Sequence, residues 1–296
     1  MSFQLKQVNK TQVEVPKLNT VKKKFQGDDL FDIQYWCMTL LGKRRSGKTS
    51  LIYTLLKKFL TKKTIVLFFV PTFHKDKTYE PIRKYLDEKK IVYDAYSAVE
   101  EDGVNMIETF MEVNSGFAEH KQENGADKPP EQTRIEHHCK FDSDCNKKKR
   151  KKKDDPPEYM IIFDDMSGYL RKPSVLKLIK NSRHFRAKII ISTQSISDVH
   201  PHVFGQMDYI ALFKNFNEDS LDFLYEKIQP GIPLEEFKKL YHYVVNQKFG
   251  DNYNCFLLIH LATETFFINL NKQVLLPDID QNNQTTQKNE TPQEKK

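Results

Sequence analysis

Eight consecutive residues constrain this chain more than anything else in it: Gly42-Lys43-Arg44-Arg45-Ser46-Gly47-Lys48-Thr49. The run matches G-x-x-x-x-G-K-[ST] at every fixed position. Glycine at 42 and 47 lets the backbone turn tightly around phosphate oxygens, where a Cβ would collide. The amides of such a loop, and the N-terminus of a helix that follows it, present donors and a positive dipole end to β- and γ-phosphates. Lys48 would bridge those phosphates as a mobile charge, and the Thr49 hydroxyl would ligate Mg²⁺. Chance yields the pattern in on the order of one chain in a hundred at average composition. Here it also lies between a strand-like run, 34–41 (QYWCMTLL), and a run of helical spacing, 49–60 (TSLIYTLLKKFL). The reading is a Walker A loop in which Gly42, Lys43, Arg44, Arg45, Ser46, Gly47, Lys48, Thr49 and Ser50 hold ATP.

The remainder of the chain alternates in the way such a loop needs. Residues 64–70 (TIVLFFV) read as a second buried strand ended by Pro71, 79–89 as a helix, 91–93 as a short strand and 99–117 as another helix. Further strands are expected at 159–163 (YMIIF), 188–192 (KIIIS) and 209–213 (YIALF), with helices near 174–181, 218–229 and 234–245. Residues 255–260 and 265–270 alternate around a short connection, the pattern of a hairpin. Near-continuously apolar strands interleaved with helices predict an α/β fold, a mainly parallel sheet covered on both faces. The expected organisation is a polar arm over 1–27, one domain over 28–276 and a disordered tail over 277–296. Residues 120–157 hold almost no apolar side chains and read as a basic, flexible insertion carried by the domain.

Two later segments carry acids and an amide to strand ends. Met160-Ile161-Ile162-Phe163-Asp164-Asp165 has the Walker B form, four apolar residues and then carboxylates at the C-terminal end of a buried strand. Asp164 would hold Mg²⁺ through water, and Asp165 would orient or deprotonate the attacking water. The bland reading is a strand followed by an Asx turn. Strand 188–192 runs into Ser192-Thr193-Gln194, where an amide would sense the γ-phosphate or simply end a strand.

LLGKRRSGKTS, MIIFDD and SRHFRAKIIISTQS together resemble the DNA-packaging ATPases of the FtsK–HerA superfamily. The likeness is nearest to those of large eukaryotic DNA viruses, virophages and Polinton/Maverick elements. It rests on the paired acids, on Arg183-His184 leading into the next strand, and on Gln194 at that strand's end. The later stretch DYIALFKNFNEDSLDFLYEKI also looks like the segment that follows in that group. The resemblance spans about residues 30–270, and the insertion at 120–157 departs from it.

What the resemblance implies is a RecA-like core assembled as a hexameric ring that moves double-stranded DNA into a preformed capsid. Capsid or portal proteins would be its partners. Gln194 carries over as the sensor glutamine. A site at a subunit boundary needs an arginine from the neighbour, with Arg183 the first candidate and Arg186 the second. Each arginine reads equally as a local ion-pair partner or a DNA contact. The competing function is a nucleotide-dependent switch, but no N-K-x-D motif is evident and the acids read DD rather than D-x-x-G. A helicase or a metabolic kinase could use the same loop.

Composition adds compartment and charge. The net charge of +7 equals the seven positives of the run 147–153 (KKKRKKK), which reads as a nuclear localisation signal, a phosphate grip or a solvated run. His137, His138, Cys139 and Cys145 are soft-metal ligand types, yet Cys-x₅-Cys is not a usual zinc spacing, so a polar loop is the simpler reading. Four cysteines in 296 residues make no disulfide framework. With no signal-like N-terminus and no membrane-length apolar run, the expected setting is intracellular, in the host cell or with virions, and without a membrane.

Overall fold

The computed structural model describes residues 24–119, 156–214, 216–249 and 253–276. The His-Cys cluster, the run 147–153, residues 1–23 of the arm, 120–155 of the insertion and the tail from 277 lie outside them.

In chain order the elements are β1 (Cys37–Leu41), α1 (Lys48–Phe59), β2 (Thr64–Phe69), α2 (Glu80–Lys89), β3 (Tyr93–Tyr96), β4 (Glu100–Glu101), β5 (Val104–Asn105) and α3 (Met106–Glu119). There follow β6 (Glu158–Asp164), α4 (Pro173–Lys180), β7 (Ala187–Thr193), α5 (Pro201–Phe204), β8 (Tyr209–Phe213), α6 (Glu218–Ile228) and α7 (Leu234–Val245). Five short strands close the chain: β9 (Lys248–Phe249), β10 (Tyr253–Asn254), β11 (Phe256–His260), β12 (Thr265–Ile268) and β13 (Lys272–Val274).

Nine strands form one sheet in the order β13-β12-β11-β8-β1-β7-β6-β2-β3. The six from β8 to β3 are parallel, and the three at the other side are antiparallel. Both faces of the parallel strands are covered, so alternate side chains enter different cores. Cys37, Leu41, Ile161 and Phe163 meet residues of α3 to α7, whereas Met38, Leu40, Met160 and Ile162 meet α1 and α2. Residues 24–36 cross the second face. Phe31 stacks on Tyr209 with ring centroids 3.9 Å apart and packs against Trp36, and Gln26 donates to the Lys58 carbonyl.

The order decides where the site forms. Strands β1 and β6, which carry the phosphate loop and the paired acids, are not neighbours; β7, which ends at Gln194, lies between them. The three C-terminal ends therefore stand side by side at one edge of the sheet.

Three sequence expectations need correction. The helix expected from residue 99 begins at Met106, because Asp102 and Gly103, at φ 50° and 79°, turn residues 100–105 into a small hairpin. Asp-Gly favours such a turn by tolerating positive φ. Asn105 then ends it, its side chain accepting from the Ile107 and Glu108 amides. The strand expected at 91–93 lies at Tyr93–Tyr96, since α2 closes through left-handed Lys90 and the Ile91 amide bonds back to Leu86. The terminal hairpin gains a third strand, β13.

Candidate phosphate-binding site

The loop 42–49 leaves β1 and enters α1 as the motif requires. The Gly42 amide bonds to the Thr193 carbonyl, which pins the loop's start to β7. Arg45 and Gly47 take positive φ, 61° and 104°, and so curl the chain before α1 begins. The two glycines are needed for different reasons. Gly47 answers to its backbone angle, whereas a Cβ at Gly42 would lie 2.6 Å from Ser46 Oγ and 2.7 Å from Phe213 Cβ. The collision expected there with phosphate is first a collision with the protein's own β8.

Lys48 is buried, 8% exposed, and donates to the carbonyls of Gly42 and Lys43. Burial pushes its pKa down, while the carboxylates of Asp164 and Asp165 push it back up. The Ser46 hydroxyl is buried inside the loop with no hydrogen-bond partner among the described residues. An ammonium resting on loop carbonyls and an unpartnered hydroxyl are the polar groups that a phosphate tail would satisfy.

Asp164 ends β6 and is 6% exposed. Burial raises its pKa, against the hydrogen bond from the Tyr79 hydroxyl and the charge of Lys48. Asp165 follows at φ 55°, a left-handed conformation that turns its exposed side chain away from the strand line. The Gln194 amide donates to Asp165 Oδ1 at 3.0 Å. Arg44, Arg45, Ser46, Gly47, Lys48, Thr49, Ser50, Asp164, Asp165 and Gln194 line one cavity of about 850 Å³. Lys43 lines a neighbouring hollow of about 500 Å³ that shares Gln194.

Thr49 and Asp164 offer a hydroxyl and a carboxylate in the same cavity, the hard oxygen donors that Mg²⁺ takes alongside water and substrate phosphates. The cavity also holds residues that sequence reasoning missed. Tyr53, Asp76 and Tyr79 line its far wall. Asp76 accepts from the Thr78 amide and so starts the short turn that delivers Tyr79 to Asp164. Nothing in the residue pattern marks Tyr79, which lies at the start of the sequence-expected helix.

Arg183 is not in this cavity. It precedes β7, at the other end of the strand from Gln194, and pairs with Asp208 at 3.2 Å. Arg186 lies at the same end, donating to the Tyr35 hydroxyl and pairing with Glu158. Both arginines thus make the local ion pairs that the sequence left open.

Fold and site together define a P-loop nucleoside triphosphatase architecture. No family model matches the chain, and neither does any curated protein. Among solved structures, the genome packaging NTPase B204 from Sulfolobus turreted icosahedral virus 2, in complex with AMPPCP, is similar at 17% identity and a TM-score of 0.47. That match covers 83% of this chain and all of the other. The DNA-packaging ATPase B204 from Sulfolobus turreted icosahedral virus is similar at 16% identity and 0.47, over 80% of this chain and 98% of its own. The cytoplasmic domain of the Thermomonospora curvata Type VII secretion ATPase EccC is similar at 13% and 0.41, over 82% of this chain and 24% of its own.

Proposed function

We propose that this chain hydrolyses ATP and couples the hydrolysis to movement of double-stranded DNA into a capsid. The observation that carries the hydrolytic part is the meeting of Lys48, Asp164, Asp165 and Gln194 around a loop of phosphate-binding form in one cavity. Lys48 would exchange the Gly42 and Lys43 carbonyls for β- and γ-phosphate oxygens, trading neutral acceptors for anionic ones. Asp165 would hold the attacking water in line with the γ-phosphorus and accept its proton. Gln194, already bonded to Asp165, would report whether the γ-phosphate is present. Thr49 and Asp164 would hold Mg²⁺, which supplies charge neutralisation on the phosphate oxygens.

The DNA-packaging part is supported by the family resemblance of the motifs and by the chain's positive net charge. Capsid or portal proteins are the partners that this reading requires. Assembly would be a homo-oligomeric ring, hexameric by the same resemblance. Since Arg183 lies beyond its own cavity with a side chain 69% exposed, any catalytic contribution from it must go to a neighbouring copy.

The test is steady-state hydrolysis by the purified chain with Mg²⁺, with and without duplex DNA. Turnover of ATP, stimulated by duplex, is expected. Asp165→Asn should lower turnover by about 10²–10⁴-fold while nucleotide binding persists. A wild-type chain that binds ATP and does not hydrolyse it would overturn the reading.

A further inference from the structure

Two long stretches of the described chain hold no acid: residues 33–75, which carry the phosphate loop and α1, and a second that follows the paired aspartates. From Met166 to Ser197 the sequence contains no Asp or Glu, yet it holds Arg171, Lys172, Lys177, Lys180, Arg183, Arg186 and Lys188. Helices α2, α6 and α7 mix their signs, reading EPIRKYLDEK, EDSLDFLYEKI and LEEFKKLYHYVV, whereas α1, like α4, has no acid. Four of the seven cations already have ion-pair partners. Lys172 pairs with Glu100, Arg183 with Asp208, and Arg186 and Lys188 with Glu158. Arg171, Lys177 and Lys180 are exposed and make no ion pair among the described residues.

The fold aligns these free cations. In α4 the residues Ser174, Val175, Leu178 and Ile179 are buried, so Lys177 and Lys180 share the outward face three residues apart. The turn that follows exposes Arg183 and His184, prolonging that stripe towards the N-terminal end of β7. Lys180 and Arg183 flank a polar hollow of about 230 Å³ against Gly205 and Gln206. Lys177 and Lys180 are about 4.5 Å apart along the helix axis. A duplex strand places a phosphate every 3.4 Å or so of its own axis. Unpaired cations on one helix face, in a stretch of sequence with no acid of its own, suit a polyanionic rod. Contacts from such cations to phosphate oxygens carry no sequence information directly.

We propose that the exposed face of α4, with Lys177 and Lys180 on it and Arg171 in the turn before it, is a grip for the sugar-phosphate backbone of duplex DNA. The inference rests on the DNA-moving function proposed above and assigns it a surface. Binding through this face is sequence-tolerant and weakens with salt by release of condensed counterions.

The experiment compares the full chain with the triple variant Arg171→Gln, Lys177→Gln, Lys180→Gln, using fluorescence anisotropy with two duplexes of unrelated sequence. Salt is varied from about 50 to about 200 mM. The triple variant should bind both duplexes about tenfold or more weakly, with a log–log salt slope shallower by about 2–3. Its DNA-independent ATP turnover should match wild type. A control variant, Lys57→Gln, Lys84→Gln, Lys89→Gln, removes the same charge from the opposite helical layer and should keep the wild-type slope. Equal binding by wild type and the α4 variant overturns the inference alone. Equal losses in both variants overturn it too, since net charge would then explain binding. A wild-type chain that hydrolyses ATP and binds no duplex removes the inference together with the DNA part of the function.

Discussion

The two ends of the same parallel strands treat charge in opposite ways. At the N-terminal end of β6 and β7, Glu158 accepts from Gln34 and Tyr35 and pairs with Lys188 and Arg186. Burial pushes the Glu158 carboxyl up, but the Lys188 charge and these hydrogen bonds outweigh it and hold it below its ordinary value. At the C-terminal end of the same strands, Asp164 is raised by burial and Lys48 is lowered by it. There the backbone also enters left-handed conformations, at Arg45, Gly47 and Asp165. One end is closed within the chain, whereas the other keeps opposite charges apart around an open cavity. Left-handed backbone occurs at both ends, since Arg186 also has φ 53°, so it is the incomplete pairing of charge at one edge that marks the place where a ligand completes the structure.

Substitutions can break that contrast. The largest effect is expected for Lys48→Ala, which should lower ATP turnover on the order of 10³-fold in a steady-state assay. Its melting temperature without nucleotide should not fall, since the charge it removes is one that burial disfavours. Glu158→Gln should do the reverse. It leaves Lys188, with a side chain 2% exposed, without its carboxylate, and should cost about 3 kcal/mol in denaturant unfolding. Turnover by the folded fraction should stay at the wild-type level.

Tyr79→Phe sharpens the contrast, because it removes a donor from a buried carboxylate. A loss of about 1.5 kcal/mol of ligand-free stability is expected by denaturant titration, with the Mg²⁺ dependence of turnover displaced. The smallest effect carries the opposite sign. A carboxyl whose folded pKa is raised stabilises the fold only while protonated, and that contribution is lost as pH rises through the folded pKa. At neutral pH Asp164 is therefore a cost. Asp164→Asn should raise the ligand-free protein's melting temperature by about 2–4 °C, or about 1 kcal/mol. Calorimetry should show the advantage shrinking as pH falls towards the acid range.

How much of this was legible follows from the same contrast. The loop 42–49, the acids at 164 and 165 and Gln194 were readable because each sits at a strand end, next to a run of apolar residues that fixes its place. The strands at 209–213 and the helix at 234–245 were found to the residue for that reason. Tyr79 was not readable, because its function depends on a contact 85 residues away in sequence and a tyrosine in a helical pattern reads as core. The opposite-edge position of Arg183 became visible only once β7 was seen to put its two ends at different edges. The hairpin at 100–105 carried its Asp-Gly signal in plain view. The apolar spacing that follows it favoured a longer helix.

Gly42 has one more consequence. With no side chain at 42, the backbone lies flush on Phe213, and the Phe213 carbonyl accepts from the Tyr241 hydroxyl, which in turn accepts from the Phe216 amide. The mouth of the loop is thus seated on an aromatic cushion tied to the turn before α6. Any displacement of the loop at Gly42 therefore bears directly on Phe213 and, through the Tyr241 hydroxyl, on Phe216.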